Sequence, residues 1–129
     1  MSVRSLTRNE SIVMDIFWEE KIPLTSVDLM KLLEEKKWNS SYLVTLLRTL
    51  EKKGFIEMCG TVRHSTQYAR LFKSVVSKEE YVASMILEQG IGLEQYSGLT
   101  LALVREACGK AEQKKALLKL IEELQNSLD

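Results

Sequence analysis

Ser41, Thr45, Arg48 and Lys52 follow one another at steps of three and four residues, which puts two hydroxyls, a guanidinium and an ammonium on one side of a helix. Such a row can meet base edges and phosphates, the chemistry of a short helix in a DNA major groove. Leu43, Leu46, Leu47 and Leu50 recur at i, i+3, i+4 and i+7 and predict a buried stripe on the other side. Asn39 or Ser40 can cap the start after Trp38, and Gly54 suits the left-handed position after the last turn. The spacing therefore predicts a helix from about Ser40 to Lys53. Ser41, Tyr42, Val44 and Thr45 are expected nearest the bases, with Ser40, Arg48 and Lys52 nearer phosphate. Capping and an ordinary solvated face are the plainer account of the same residues.

The elements that would hold this helix are legible on both sides of it. Thr7 with Glu10 forms a capping-box pattern, and Ile12, Val13, Ile16 and Phe17 give a first helix an apolar face from about Arg8 to Glu20. Thr25 with Asp28 starts a second helix whose apolar residues are read as Val27, Met30, Leu32 and Leu33. After Gly54, the runs Phe55–Cys59 and Val62–Tyr68 flank Gly60 and Thr61, which predicts a hairpin turning at the glycine. Arg63 and His64 then lie near its tip, in reach of the duplex backbone, although an exposed hairpin is often basic for solubility alone. Trp18, Trp38, Phe17, Phe55 and Tyr68 are expected in core packing rather than in a stacking platform.

Three helices followed by a hairpin is the order of a winged helix-turn-helix domain. The expected fold is mainly α with a small β-hairpin, with a DNA-binding domain over residues 1–76, a linker around 69–77 and a helical dimerisation region over 77–129. In that second region Ser77 with Glu80 is a further capping box. Val82, Met85, Ile86, Leu99, Leu103, Val104, Leu117, Ile121, Leu124 and Leu128 supply apolar faces. About 50 residues with so few large side chains bury too little surface to stand alone, and a second copy of the chain is the economical partner.

Composition narrows the class. The chain has 129 residues, 45% of them hydrophobic, which suits one core with an extension. No apolar run is long enough to span a membrane, and Met1–Ser5 is not followed by a leader-like stretch, so a cytoplasmic protein without membrane insertion is expected. Cys59 and Cys108 lie far apart and suggest neither a disulfide framework nor zinc. Cys59 with His64 would give two ligands only, so no metal and no cofactor are expected. A single histidine and the lack of any GxSxG, P-loop or HExxH motif argue against an enzyme. Net charge is zero, yet residues 36–78 hold Lys36, Lys37, Arg48, Lys52, Lys53, Arg63, Arg70, Lys73 and Lys78 against only Glu51 and Glu57. That local surplus fits a module that displaces counterions from phosphates. The neutral total keeps open a second reading, a winged-helix module that binds a protein in a larger assembly.

Leu6-Thr7 with Glu10, Val13-Met14, Trp18, Pro23-Leu24-Thr25, Trp38, Thr45-Leu46-Leu47, Leu50, Lys52-Lys53-Gly54 and Tyr68 together resemble the penicillinase-repressor family of bacterial winged-helix regulators. The resemblance is close over residues 5–81 and looser beyond. It implies a homodimeric repressor on a palindromic double-stranded operator, relieved in several members by a sensor-triggered protease or by a metal. The chain departs from the family pattern in several places. Tyr42 stands where a threonine is usual. Arg48 comes one place early, turning its guanidinium by about 100° around the helix. The tail from Leu117 has no Cys-x-Cys, so release by copper through such a motif is not expected, and Leu101-Ala102-Leu103-Val104 stands where protease-cleaved members have Asn-Phe.

Overall fold

The structure, a computed structural model, describes residues 5–128; the reading of Met1–Arg4 as lacking a leader lies outside them. Thr7 opens α1 (Arg8–Glu20) with a reciprocal capping box: its side chain accepts from the Glu10 amide while Glu10 accepts from the Thr7 amide. Thr25 and Asp28 do the same for α2 (Ser26–Leu32). The buried apolar residues there are Leu29 and Leu33, whereas Leu32, expected inside, is exposed. A 3-10 turn over Glu34–Lys36 leads to α3 (Ser40–Lys53). Gly54 ends α3 at φ 84, and the amides of Gly54 and Phe55 both bond to the Leu50 carbonyl, the return that lets the chain leave the helix as a strand.

The hairpin differs from the sequence expectation in length and turn. β2 spans Ile56–His64 and β3 spans Gln67–Ser74, so the turn lies at Ser65 and Thr66, with Ser65 in the left-handed region at φ 59. Gly60 is inside β2, opposite Leu71, just past a register shift between Met58 and Gly60. A glycine in a strand marks a bulge as readily as a turn, and here the unpaired extra residue is Cys59. The expected linker at 69–77 is mostly β3. Leu24–Thr25, where the sequence pattern predicts no strand, forms β1 and pairs with Leu71 and Phe72, giving a three-stranded antiparallel sheet in the order β1-β3-β2. The result is a winged helix-turn-helix fold.

Residues up to Ile86 form one compact unit and those from Leu87 another. The core of the first joins Val13, Met14 and Phe17 of α1, Leu29 of α2, the four leucines of α3, Phe55, Ile56 and Phe72. Trp18 lies at its edge and donates from Nε1 to the Val76 carbonyl at 2.8 Å. Tyr81, in α4 (Lys78–Glu88), faces Phe55 at 5.5 Å and Trp18 at 6.0 Å between ring centroids. The second unit holds a 3-10 turn at Leu93–Gln95 and the helices α5 (Tyr96–Ala107) and α6 (Lys110–Asn126), neither of which has a buried residue. Among the described residues no helix is long and apolar enough to cross a membrane.

One buried charge ties α3 to α1. Glu10 is almost fully enclosed, and its Oε1 accepts from Lys53 Nζ at 2.6 Å, while Lys53 also donates to the Ser5 carbonyl at 3.0 Å. Burial pushes the Glu10 carboxyl up, but the bonds from Lys53 and Thr7 and the Lys53 charge outweigh it and hold the group below the usual carboxylate range. A carboxyl depressed in the folded state stabilises the fold above its unfolded pKa of about 4.3, and this contribution is lost as pH falls through the folded value. Lys53→Met, which leaves Glu10 buried and unpaired, is expected to cost about 3 kcal/mol at pH 7 in urea denaturation. The penalty should shrink at about pH 4, where protonation neutralises the orphaned carboxylate; an equal cost at both pH values would contradict this account.

Candidate nucleic-acid interface

The burial of Leu43, Leu46, Leu47 and Leu50 fixes which side of α3 faces outward. Ser40, Ser41, Tyr42, Val44, Thr45, Arg48 and Lys52 are all exposed on that side. Asn39 is the cap, its side-chain oxygen accepting from the Tyr42 amide at 2.8 Å. The Thr45 hydroxyl donates to the Ser41 carbonyl and the Thr49 hydroxyl to the Thr45 carbonyl, so both hold local bonds along the helix. Tyr42 is less free than its neighbours. Its hydroxyl accepts from Asn9 Nδ2 at 2.6 Å, and its ring meets Trp38 edge-on at 5.4 Å, bracing the first turn of α3 against α1.

Charge on this surface is more selective than the count of lysines and arginines suggests. Lys53 is held by Glu10, Arg70 by Glu51 at 3.0 Å and Lys73 by Glu57 at 3.4 Å. Arg48, Lys52 and Arg63 make no ion pair among the described residues. The cations of α3 without an ion pair among the described residues are therefore Arg48 and Lys52, one turn apart on its exposed side.

Arg63 and His64 both lie at the wing tip, paired with Tyr68 and Gln67. Strand alternation sends them to opposite faces of the hairpin. Arg63 Nε donates to the Ser65 carbonyl at 2.9 Å, and the residue is exposed. The His64 Nε2 atom is shielded and finds no hydrogen-bond partner among the described residues. The structure thus sets Arg63 on the same face as Tyr68 and Arg70, and His64 apart from them.

Tyr68 is not a core residue: it is 68% exposed. It sits at one side of a cleft between the wing and α3, with Arg70 and Phe72 beside it and Val44, Leu47 and Arg48 opposite. The alternation of positions 68, 70 and 72 along β3 was a signal for this shared face, hidden by ending the strand too early. Among the described residues no group of three or more His, Cys, Asp or Glu is arranged to hold a metal ion.

The sequence model of the penicillinase repressor family matches residues 6–128, nearly the whole chain. The chain belongs to the penicillinase repressor family. It is accordingly a DNA-binding transcriptional repressor by class. No curated protein matches it in sequence. Among solved structures, a mutant of ZitR from Lactococcus lactis aligns with 100% of this chain and 80% of its own, at 14% identity and a TM-score of 0.42.

Asn39→Ala should lower stability by about 1 kcal/mol in thermal denaturation, because the Tyr42 amide loses its acceptor at the start of α3. Asn39→Ser, which keeps a capping oxygen, should lose only a fraction of that.

Proposed function

We propose that this repressor acts as a homodimer on a palindromic operator. Residues 1–76 would bind DNA and residues 77–129 would join the two copies. In this reading α3 lies in the major groove with Ser41, Val44 and Thr45 toward base edges. Tyr42 offers the part of its ring left free by Trp38. Ser40, Arg48 and Lys52 lie toward phosphate, and Arg63 and His64 act from the wing. The observation that carries the reading is the outward, mostly polar row of α3, whose cations Arg48 and Lys52 make no ion pair among the described residues, along a helix whose other side is core.

The dimer rests on a different observation. In α5 and α6 no side chain is buried, and Leu103, Ile121 and Leu124 are each at least half exposed, with Leu99, Val104 and Leu117 partly covered and Leu128 almost bare. Val82 is exposed on α4, and Met85 and Ile86 are half-buried there. Two helices with so much wet apolar surface are stabilised by a partner, and a second identical chain supplies matching faces about a two-fold axis. Such a dimer presents two α3 helices to half-sites about 34 Å apart. The setting is the cytoplasm, where a regulator meets the genome, and relief of repression would fall to a sensor or protease.

Arg48→Ala is expected to weaken operator binding by about 1–3 kcal/mol if the guanidinium reads a base. If it meets phosphate instead, the loss should be the same on operator and unrelated duplex. Unchanged affinity for both would remove Arg48 from the interface. For the dimer, Ile121→Glu with Leu124→Glu should convert a sedimenting dimer at micromolar concentration to a monomer with weakened DNA binding. A wild-type chain that sediments as a monomer, free and on DNA, would overturn the architecture.

A further inference from the structure

The cleft between α3 and the wing encloses about 220 Å³. Its apolar lining includes Val44, Leu47 and Phe72, and Arg48 and Arg70 also line it. Apolar walls beside paired cations suit a ligand whose apolar and anionic parts alternate along a chain. A phosphodiester backbone is such a ligand, with deoxyribose faces between phosphates. The ring of Tyr68 is left largely uncovered at this cleft, the state of an aromatic that still has a contact to make.

Arg70 is already engaged with an anion. Its Nη2 donates to Glu51 Oε2 at 3.0 Å, its Nε reaches the Met58 sulfur at 3.3 Å, and its Cζ lies 4.9 Å from the centre of the Phe72 ring. The ring and the sulfur hold the guanidinium in place, while the carboxylate offers it the same acceptor oxygens that a phosphate would. The Glu51–Arg70 pair is partly exposed, so its worth to stability is small and its exchange for another anion is cheap.

We infer that the α3–wing cleft seats one strand of the duplex backbone, with Tyr68 against a deoxyribose and Arg70 bonded to a phosphate, and that Glu51 holds Arg70 until the phosphate displaces it. The inference rests on the reading of α3 as the DNA-facing helix and adds Tyr68, Arg70 and Glu51 to its contacts. Glu51 is then a brake on backbone binding. Each encounter with a duplex must break one ion pair before the wing cation is available, whatever the base sequence.

The contact is independent of sequence, so a labelled mixed-sequence duplex of about 30 base pairs, titrated by fluorescence anisotropy between about 50 and 200 mM salt, is a sufficient probe. Glu51→Gln should bind about two- to fivefold more tightly, the release of one partly exposed ion pair. Arg70→Gln should bind more weakly and flatten the dependence of log affinity on log salt by about one, for one lost phosphate contact. Tyr68→Ala should weaken binding at every salt concentration with the slope unchanged, since a ring on a sugar displaces no counterion. Removing any carboxylate favours DNA, so Glu35→Gln, an exposed carboxylate with no ion pair among the described residues, sets the background. In an Arg70→Gln chain, the Glu51→Gln gain should fall to that background. A gain that persists without Arg70, or weaker binding by Glu51→Gln, would overturn the brake. Binding by the wild-type chain that neither Arg70→Gln nor Tyr68→Ala reduces would overturn the cleft assignment alone. A folded wild-type chain that binds no duplex at the lowest salt would overturn the DNA-facing reading beneath it.

Discussion

Burial of the leucine row on α3 is the constraint on which the rest of this molecule depends. Leu43, Leu46, Leu47 and Leu50 enter a core shared with Val13, Met14, Phe17 and Leu29, and each such side chain contributes about 1.5–3 kcal/mol when removed from water. A helix turned in this way by its apolar side has no freedom to choose its polar one. Ser41, Thr45, Arg48 and Lys52 face outward because the leucines face inward. The remaining devices refine that placement. Glu10 and Lys53 fasten the last turn of α3 to the first turn of α1, while Asn39, Trp38 and Asn9 fasten its start. A helix held at both ends would lose little conformational freedom if it met a rigid duplex, as proposed for α3.

The two units distribute their apolar residues in opposite ways. The first encloses its large side chains around α3, and its exposed apolar residues are scattered. The second leaves its leucines wet along α5 and α6. The proposed dimer would account for that contrast, since a module that must pair cannot satisfy its own surface.

Much of this was legible in the residues, and the exceptions have a common cause. Capping boxes at Thr7, Thr25 and Ser77 are local bonds between residues three apart, and each forms as its spacing indicates. The span of α3 follows from leucine periodicity and a terminal glycine. The wing was misread where two meanings of glycine compete. Gly60 marks a bulge, and the turn falls to Ser65, which accepts a left-handed backbone without glycine's help. That displaced the end of β3 and hid the face that Tyr68 shares with Arg70. Pairings between distant residues leave no local trace. Glu10 looked fully employed by its capping box, and nothing near it in sequence announced Lys53.

The central claim is that two copies of this chain present paired α3 helices to a two-fold DNA site. Selection of bound duplexes from a random-sequence pool by the purified full chain, at near-physiological salt and followed by sequencing, tests it most directly. The account predicts enrichment of an inverted repeat whose half-site centres lie about one helical turn apart. Enrichment of a single unrepeated half-site would contradict the dimeric arrangement. A folded protein that enriches no sequence at all would contradict sequence-specific repression by this chain.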